Sequence, residues 1–232
     1  MKKHLKRLFA PVSWPIKRKG IKFIVRPVPG PHQLKESMPL SLIFKDLLKI
    51  GETTREIKKI LSSGKILIDN IPRKEIRFPV GIMDVIAIPE TKQYFRILYD
   101  KNGKFIAHKI SKEESEIKPR KIINKTILKG NKIQLNLYDG TNIIVAKDEY
   151  KVGDSLILSG NKIKEVISLE KNCIIYLTGG KHVSNIGILE GIHRLPGSQP
   201  NKVIFKINDQ TFETLRKYAF VIGKTKSIIT LP

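Results

Sequence analysis

One cysteine, Cys173, stands in 232 residues, so the chain forms no internal disulfide. The five histidines, His4, His32, His108, His182 and His193, fall on different elements, and neither they nor the cysteine show zinc-ligand spacing. No apolar run reaches the roughly 18 residues that a membrane-spanning helix needs. The N-terminal cations lead into neither an apolar core nor a small-residue cleavage site, so they do not read as a secretory signal. A reducing cytoplasm fits these absences. Acidic residues are also scarce: 21 Asp+Glu against 44 Lys+Arg leave a net charge of +23. That imbalance favours a polyanionic partner, nucleic acid before an anionic membrane surface.

What is present divides the chain into four stretches. Residues 1–40 form a basic arm with ten Lys/Arg and a single acid, Glu36. Pro11, Pro15, Pro27, Pro29, Pro31 and Pro39 break regular structure there. Such an arm repels itself when free and is expected to order only against an anion, with Trp14 as an apolar anchor onto a protein surface.

Residues 41–110 carry a helix pair and a small sheet. Leu40, Ile43, Phe44, Leu47 and Leu48 recur at helical spacing and predict a first helix over about 41–50, ended by Gly51. Thr53 and Glu56 stand at capping-box spacing and predict the start of a second. Ile57, Ile60 and Leu61 lie on one face of that helix, with Arg55, Lys58, Lys59 and Ser62 opposite. Ser63-Gly64 stops it. Strands are expected over 65–68, with an Asp69-Asn70 turn, and over 84–88. Asn102-Gly103 turns a hairpin between 94 and 110.

Residues 111–170 begin with a charged stretch, 112–121, that reads as a linker whose Glu113, Glu114 and Glu116 are hydrated rather than metal-binding. A β region follows, turning at Asp139-Gly140. Residues 171–232 alternate strands with glycine turns. The fold class expected is α+β, mostly β.

The segment Phe78-Pro79-Val80-Gly81-Ile82-Met83-Asp84-Val85 resembles the S-four-e family of small-subunit ribosomal proteins of archaea and eukaryotes. The stretch 53–88 around it resembles the S-four-like RNA-binding domain. The arm shares the family's pattern at His4-Leu5-Lys6-Arg7-Leu8, Ala10-Pro11, Trp14, Arg26-Pro27 and Gly30-Pro31-His32. So do Lys132 to Leu137 with Asp139-Gly140, and Leu215 to Gly223. Ile186 to Leu189 resembles a KOW motif in a small SH3-like barrel, with Gly187 as its fixed glycine. The family has a glycine and then a basic residue where this chain has Ser184 and Asn185.

The resemblance implies a structural constituent of the small ribosomal subunit, cytoplasmic, with small-subunit rRNA and neighbouring ribosomal proteins as partners. It implies no membrane, cofactor, metal or small-molecule substrate. Candidate rRNA-binding residues are Lys2, Lys3, Lys6, Arg7, Lys17, Arg18, Lys19, Lys22 and Arg26 on the arm. Arg55, Lys58, Lys59, Lys65, Arg73 and Lys74 are the candidates in the second stretch.

The alternative is an RNA-modifying enzyme with an appended S-four-like domain. Pseudouridine synthases of that kind use an aspartate in a motif resembling His-Arg-Leu-Asp. Here the string is His193-Arg194-Leu195-Pro196, and proline neither attacks nor accepts a proton. No Ser/His/Asp or Cys/His grouping stands out. Thr178-Gly179-Gly180-Lys181 is too short for a phosphate-binding loop and opens no helix. A general RNA chaperone or a transcription-associated KOW protein is the third reading.

Overall fold

In the computed structural model, which describes residues 4–130, 132–159, 162–196, 199–208 and 210–231, the capping box is complete. The Thr53 hydroxyl accepts from the Glu56 amide at 3.2 Å, and the Glu56 carboxylate accepts from the Thr53 amide at 3.3 Å. Hydrogen bonding from the Thr53 side chain and from the Thr53 and Glu52 amides holds the Glu56 carboxyl below its ordinary pKa. The helix runs Thr54–Ser62, buries Ile57 and Leu61 and leaves Ile60 half-buried. Gly64 follows in the left-handed region at φ 74°, a conformation that favours glycine.

The first helix differs from its sequence reading. Leu40–Leu42 is α-helical, but Ile43–Leu47 widens into a π turn in which the Leu48 amide reaches the Ile43 carbonyl. Lys49, not Gly51, takes the left-handed conformation after it, at φ 52°. Gly51 serves packing: a Cβ there would lie 3.0 Å from Ile57 Cγ1.

The chain divides into two compact units, Met1–Lys118 and Pro119–Leu231. In the first, a five-stranded antiparallel sheet has the order Ile71–Pro72, Leu67–Ile68, Val85–Ile88, Gln93–Tyr99, Phe105–Lys109. Asp69 and Asn70 both take positive φ, 50° and 65°, as a tight two-residue hairpin turn requires. Ser37–Pro39 pairs with Pro79–Gly81, and Leu5–Lys6 with Phe23–Ile24.

The arm is docked on this unit. Trp14 is 1% exposed and its indole donates to the Ser37 carbonyl at 2.7 Å, while the Phe105 amide donates to the Ser13 carbonyl at 2.8 Å. This corrects the expectation that the arm orders only against an anion. Emptying a buried tryptophan site costs about 3–5 kcal/mol, whereas repulsion between solvated surface charges is about 1 kcal/mol per close pair and is screened by salt. The anchor reading of Trp14 holds.

The charged stretch 112–121 is likewise structured rather than a hydrated linker. Ser111 caps a short helix, Lys112–Ser115, and the strand Pro119–Ile127 begins two residues before that stretch ends. Glu114 pairs with the fully buried Arg96, which also donates to the Glu114 and Ile117 carbonyls at 3.1 and 2.6 Å. Burial lowers the Arg96 pKa, and Glu114 opposes that shift.

The second unit holds two five-stranded antiparallel sheets. One has the order Asn142–Val145, Ile133–Leu137, Pro119–Ile127, Ser155–Ser159, Lys162–Ile167, over a core of Ile122, Leu135, Leu137, Ile143, Leu156 and Leu158. The other has the order Gln210–Leu215, Lys202–Ile207, Ile186–His193, Ile174–Leu177, Ala219–Gly223. Lys121 joins the two: its buried ammonium donates to the carbonyls of Lys217 at 2.8 Å and Ala219 at 2.6 Å.

Candidate nucleic-acid interface

Arg55, Lys58 and Lys59 stand exposed on the helix face opposite Ile57 and Leu61. The buried pair fixes the helix, so the three cations are held in place before a ligand arrives. Lys65 is exposed and bridges to Glu90. A surface bridge of that kind contributes about 0–1 kcal/mol, so a phosphate can displace the carboxylate at little cost. Arg73 is half-buried with its guanidinium 4.6 Å from the Phe78 ring centroid, and Lys74 is exposed beside Gly64.

The arm's cations separate into two kinds. Lys6, Lys17, Lys19 and Lys22 are exposed, and Arg26 is half-buried. Arg7 and Arg18 turn inward. Arg18 donates to the carbonyls of Ala10 at 2.6 Å and Pro11 at 2.7 Å, and Arg7 to that of Lys17 at 2.7 Å. These two arginines clasp the arm's own backbone, which compensates for regular hydrogen bonds that its prolines prevent. Lys2 and Lys3 lie outside the described residues. Lys45 and Lys49 are also exposed beside the helix pair. Their spacing of four residues was the sequence signal that could have added them.

Beneath these surfaces lies a buried charge network absent from the sequence reading. Asp84 accepts from His32 Nε2 at 2.9 and 3.0 Å, from Lys118 Nζ at 2.6 Å and from the Gly81 amide at 2.8 Å. Lys118 also reaches Asp69 at 2.5 Å, and Asp69 accepts from the Val85 amide at 3.0 Å. Burial pushes the Asp84 carboxyl up, but Lys118 and His32 outweigh it and hold the group well below the usual carboxylate range. Burial raises Asp69; Lys118 opposes that shift, and the Asp84 charge reinforces it.

Two glycines make the assembly fit. A Cβ on Gly81 would sit 2.5–2.6 Å from three His32 ring atoms, and one on Gly30 would sit 2.6 Å from Pro79 Cγ. The segments Gly30-Pro31-His32 and Pro79-Val80-Gly81 therefore interlock, each supplying the gap the other fills. Lys118 ends the unit, so the network also pins the point where the chain leaves it.

Gly187 is buried on Ile186–His193, where a Cβ would lie 2.9 Å from the Phe205 ring and 3.1 Å from the Lys206 carbonyl. Ser184 takes φ 71°, a conformation that favours glycine. His193 and Arg194 are exposed. Among the described residues, no group of three or more His, Cys, Asp or Glu could hold a metal ion, and no helix is long and apolar enough to cross a membrane. Cys173 is buried, which pushes its thiol up to about 11.

Comparison with known proteins decides the family. The pattern of ribosomal family S4e matches residues 91–164, and that of the RS4NT (NUC023) domain matches residues 1–35. Small ribosomal subunit protein eS4 of Methanothermobacter thermautotrophicus is 44% identical, covering 100% of this chain and 96% of the relative. The chain belongs to the ribosomal protein S4e family. The eS4 protein of Methanocaldococcus jannaschii is 43% identical over 99% of this chain and 98% of its own. The crystal structure of 30S ribosomal protein S4e from Thermoplasma acidophilum superposes with a TM-score of 0.73 at 33% identity, over 84% of this chain and 99% of that one. In S4e terms, the Gly30/Pro79 and Gly81/His32 contacts join the RS4NT region to the sheet beyond it.

Proposed function

We propose that this S4e chain is a structural constituent of the small ribosomal subunit that binds rRNA through its exposed cations. The observation that carries this reading is full-length relatedness to small-subunit eS4 proteins at about 40% identity. Arg55, Lys58, Lys59, Lys65 and Lys74, with Lys6, Lys17, Lys19 and Lys22 on the docked arm, displace counterions condensed on phosphates, which gives affinity without reading bases. RNA helices hide their base edges in a deep groove, so rigid surfaces with fixed cations recognise folded shape. Arg7, Arg18 and Arg73 support these surfaces. Neighbouring ribosomal proteins complete the setting, in the cytoplasm.

The role is mechanical rather than catalytic. The one catalytic-looking string has Pro196 in place of an aspartate. The test is sedimentation of cell extract before and after a moderate salt wash. The protein is expected to travel with small subunits in both gradients. Recovery at the top of both gradients, free of subunits, would refute the reading.

A further inference from the structure

The outer face of one sheet in the second unit is unusual for so charged a chain. The register sets Asn124, Asn136 and Asn142 side by side across three strands, with Thr126, Gln134 and Ile144 in the next row. Leu135 and Ile143 between them are buried, so period-two alternation puts these six on the opposite face, with Asn124, Thr126, Asn142 and Ile144 exposed and Gln134 and Asn136 half-buried. Gln134 Nε2 donates to Asn136 Oδ1 at 2.8 Å, and Asn136 Nδ2 donates to Thr126 Oγ1 at 3.2 Å. The Gln134 and Asn136 amides are thus oriented in advance, and every amide on the face carries donors and an acceptor. None of the six is charged. Cations stand instead at one end of the face, where Lys129, Lys132 and Lys147 are exposed. Lys125 engages Asp148, and Glu149 is an opposing exposed charge.

We propose that this face docks on the minor groove of an RNA duplex, its amides and hydroxyl bonding ribose 2′-hydroxyls while the lysines reach phosphates at the groove edge. The proposal rests on the RNA-binding reading above and adds a second surface to it. An A-form minor groove is wide and shallow and is lined with 2′-hydroxyls, which both donate and accept. A pleated sheet face of neutral amides matches that floor, and phosphates lie only at its margins. A surface that reads unpaired bases would offer aromatic rings for stacking, and the six residues include none. A docking face for another protein would be expected to have an apolar centre, whereas Ile144 stands at a corner.

The experiment measures binding of the full-length protein to one RNA duplex and to the DNA duplex of the same sequence, at several salt concentrations. Asn124→Ala/Asn136→Ala/Asn142→Ala is expected to lose on the order of tenfold in RNA affinity, together with most of the RNA-over-DNA preference, at unchanged salt slope. Lys129→Ala/Lys132→Ala/Lys147→Ala should lower the salt slope and weaken both duplexes. Circular dichroism checks that the variants fold. Wild-type protein against RNA carrying 2′-deoxy substitutions gives the same test with no substitution in the protein, and a loss similar to that of the triple Asn variant is expected. An RNA-to-DNA ratio unchanged in the Asn variant, or no effect of the 2′-deoxy substitutions, overturns the proposal. If wild-type protein still binds folded rRNA in that event, the function proposed above stands.

Discussion

Asp84 is ionised where an isolated carboxylate would not be, because Lys118, His32 and the Gly81 amide surround it. Removing the Asp84 charge takes one buried carboxylate from His32 and from Lys118, which keeps Asp69. Asp84→Asn is therefore expected to destabilise the first unit by about 3–5 kcal/mol. Trp14 reports it, being the sole tryptophan and buried in the same unit, so urea unfolding followed by fluorescence gives the shift. The sign with pH follows from the two carboxyls. Asp84, depressed in the folded state, contributes stability above the ordinary carboxylate range near 4 and loses it as pH falls through its folded value. Asp69, raised, contributes fully below that range and loses its contribution as pH rises through its folded value. Asp84→Asn should thus flatten the acid limb of stability below about pH 4. An acid limb as steep as in the unsubstituted protein would contradict the assignment.

The helix Thr54–Ser62 is where local sequence and local structure agree most fully. Its start depends on the Thr53 hydroxyl, so Thr53→Ala is expected to cost about 1 kcal/mol, again read from Trp14 fluorescence. RNA affinity should fall with it, because Arg55 stands in the first turn. This helix was legible because its signals lie within a dozen residues: cap, apolar face, glycine stop. The turn at Asp69-Asn70 and the hairpin at Asp139-Gly140 are legible for the same reason, whereas the two-residue strand Ile71–Pro72 that pairs across the first of them is not. The charged stretch 112–121 reads as a linker because its partners are distant in sequence. Arg96 fixes Glu114 from 18 residues away, and Lys118 meets Asp84 and Asp69 across 34 and 49. Contacts of that range leave no periodic trace. The outward cations of the interface were legible as the complement of an apolar face. Arg7 and Arg18 could not be told from Lys17 and Lys19, since a side chain bonded to a backbone carbonyl imposes no spacing.

At the scale of the whole molecule, +23 charges guarantee attraction to any nucleic acid, so affinity alone does not distinguish a ribosomal constituent from a generic polycation. The distinction is geometric. Arg55, Lys58 and Lys59 sit on a packed helix, and little ordering entropy is lost when they bind. Lys17, Lys19 and Lys22 are exposed on a proline-broken arm, which has less regular backbone bonding to fix them, while Arg18 is excluded from that set because its loss would unclasp the arm. The measurement is competition binding of Arg55→Ala/Lys58→Ala/Lys59→Ala and Lys17→Ala/Lys19→Ala/Lys22→Ala against folded small-subunit rRNA and a generic RNA duplex at one salt concentration. Each variant removes three charges, so charge counting predicts equal losses. The fixed-geometry account predicts that the helix variant loses more affinity for folded rRNA and loses its discrimination against the duplex, while the arm variant weakens both by similar factors. Indistinguishable specificity ratios for the two variants would contradict it and leave net charge as the whole explanation.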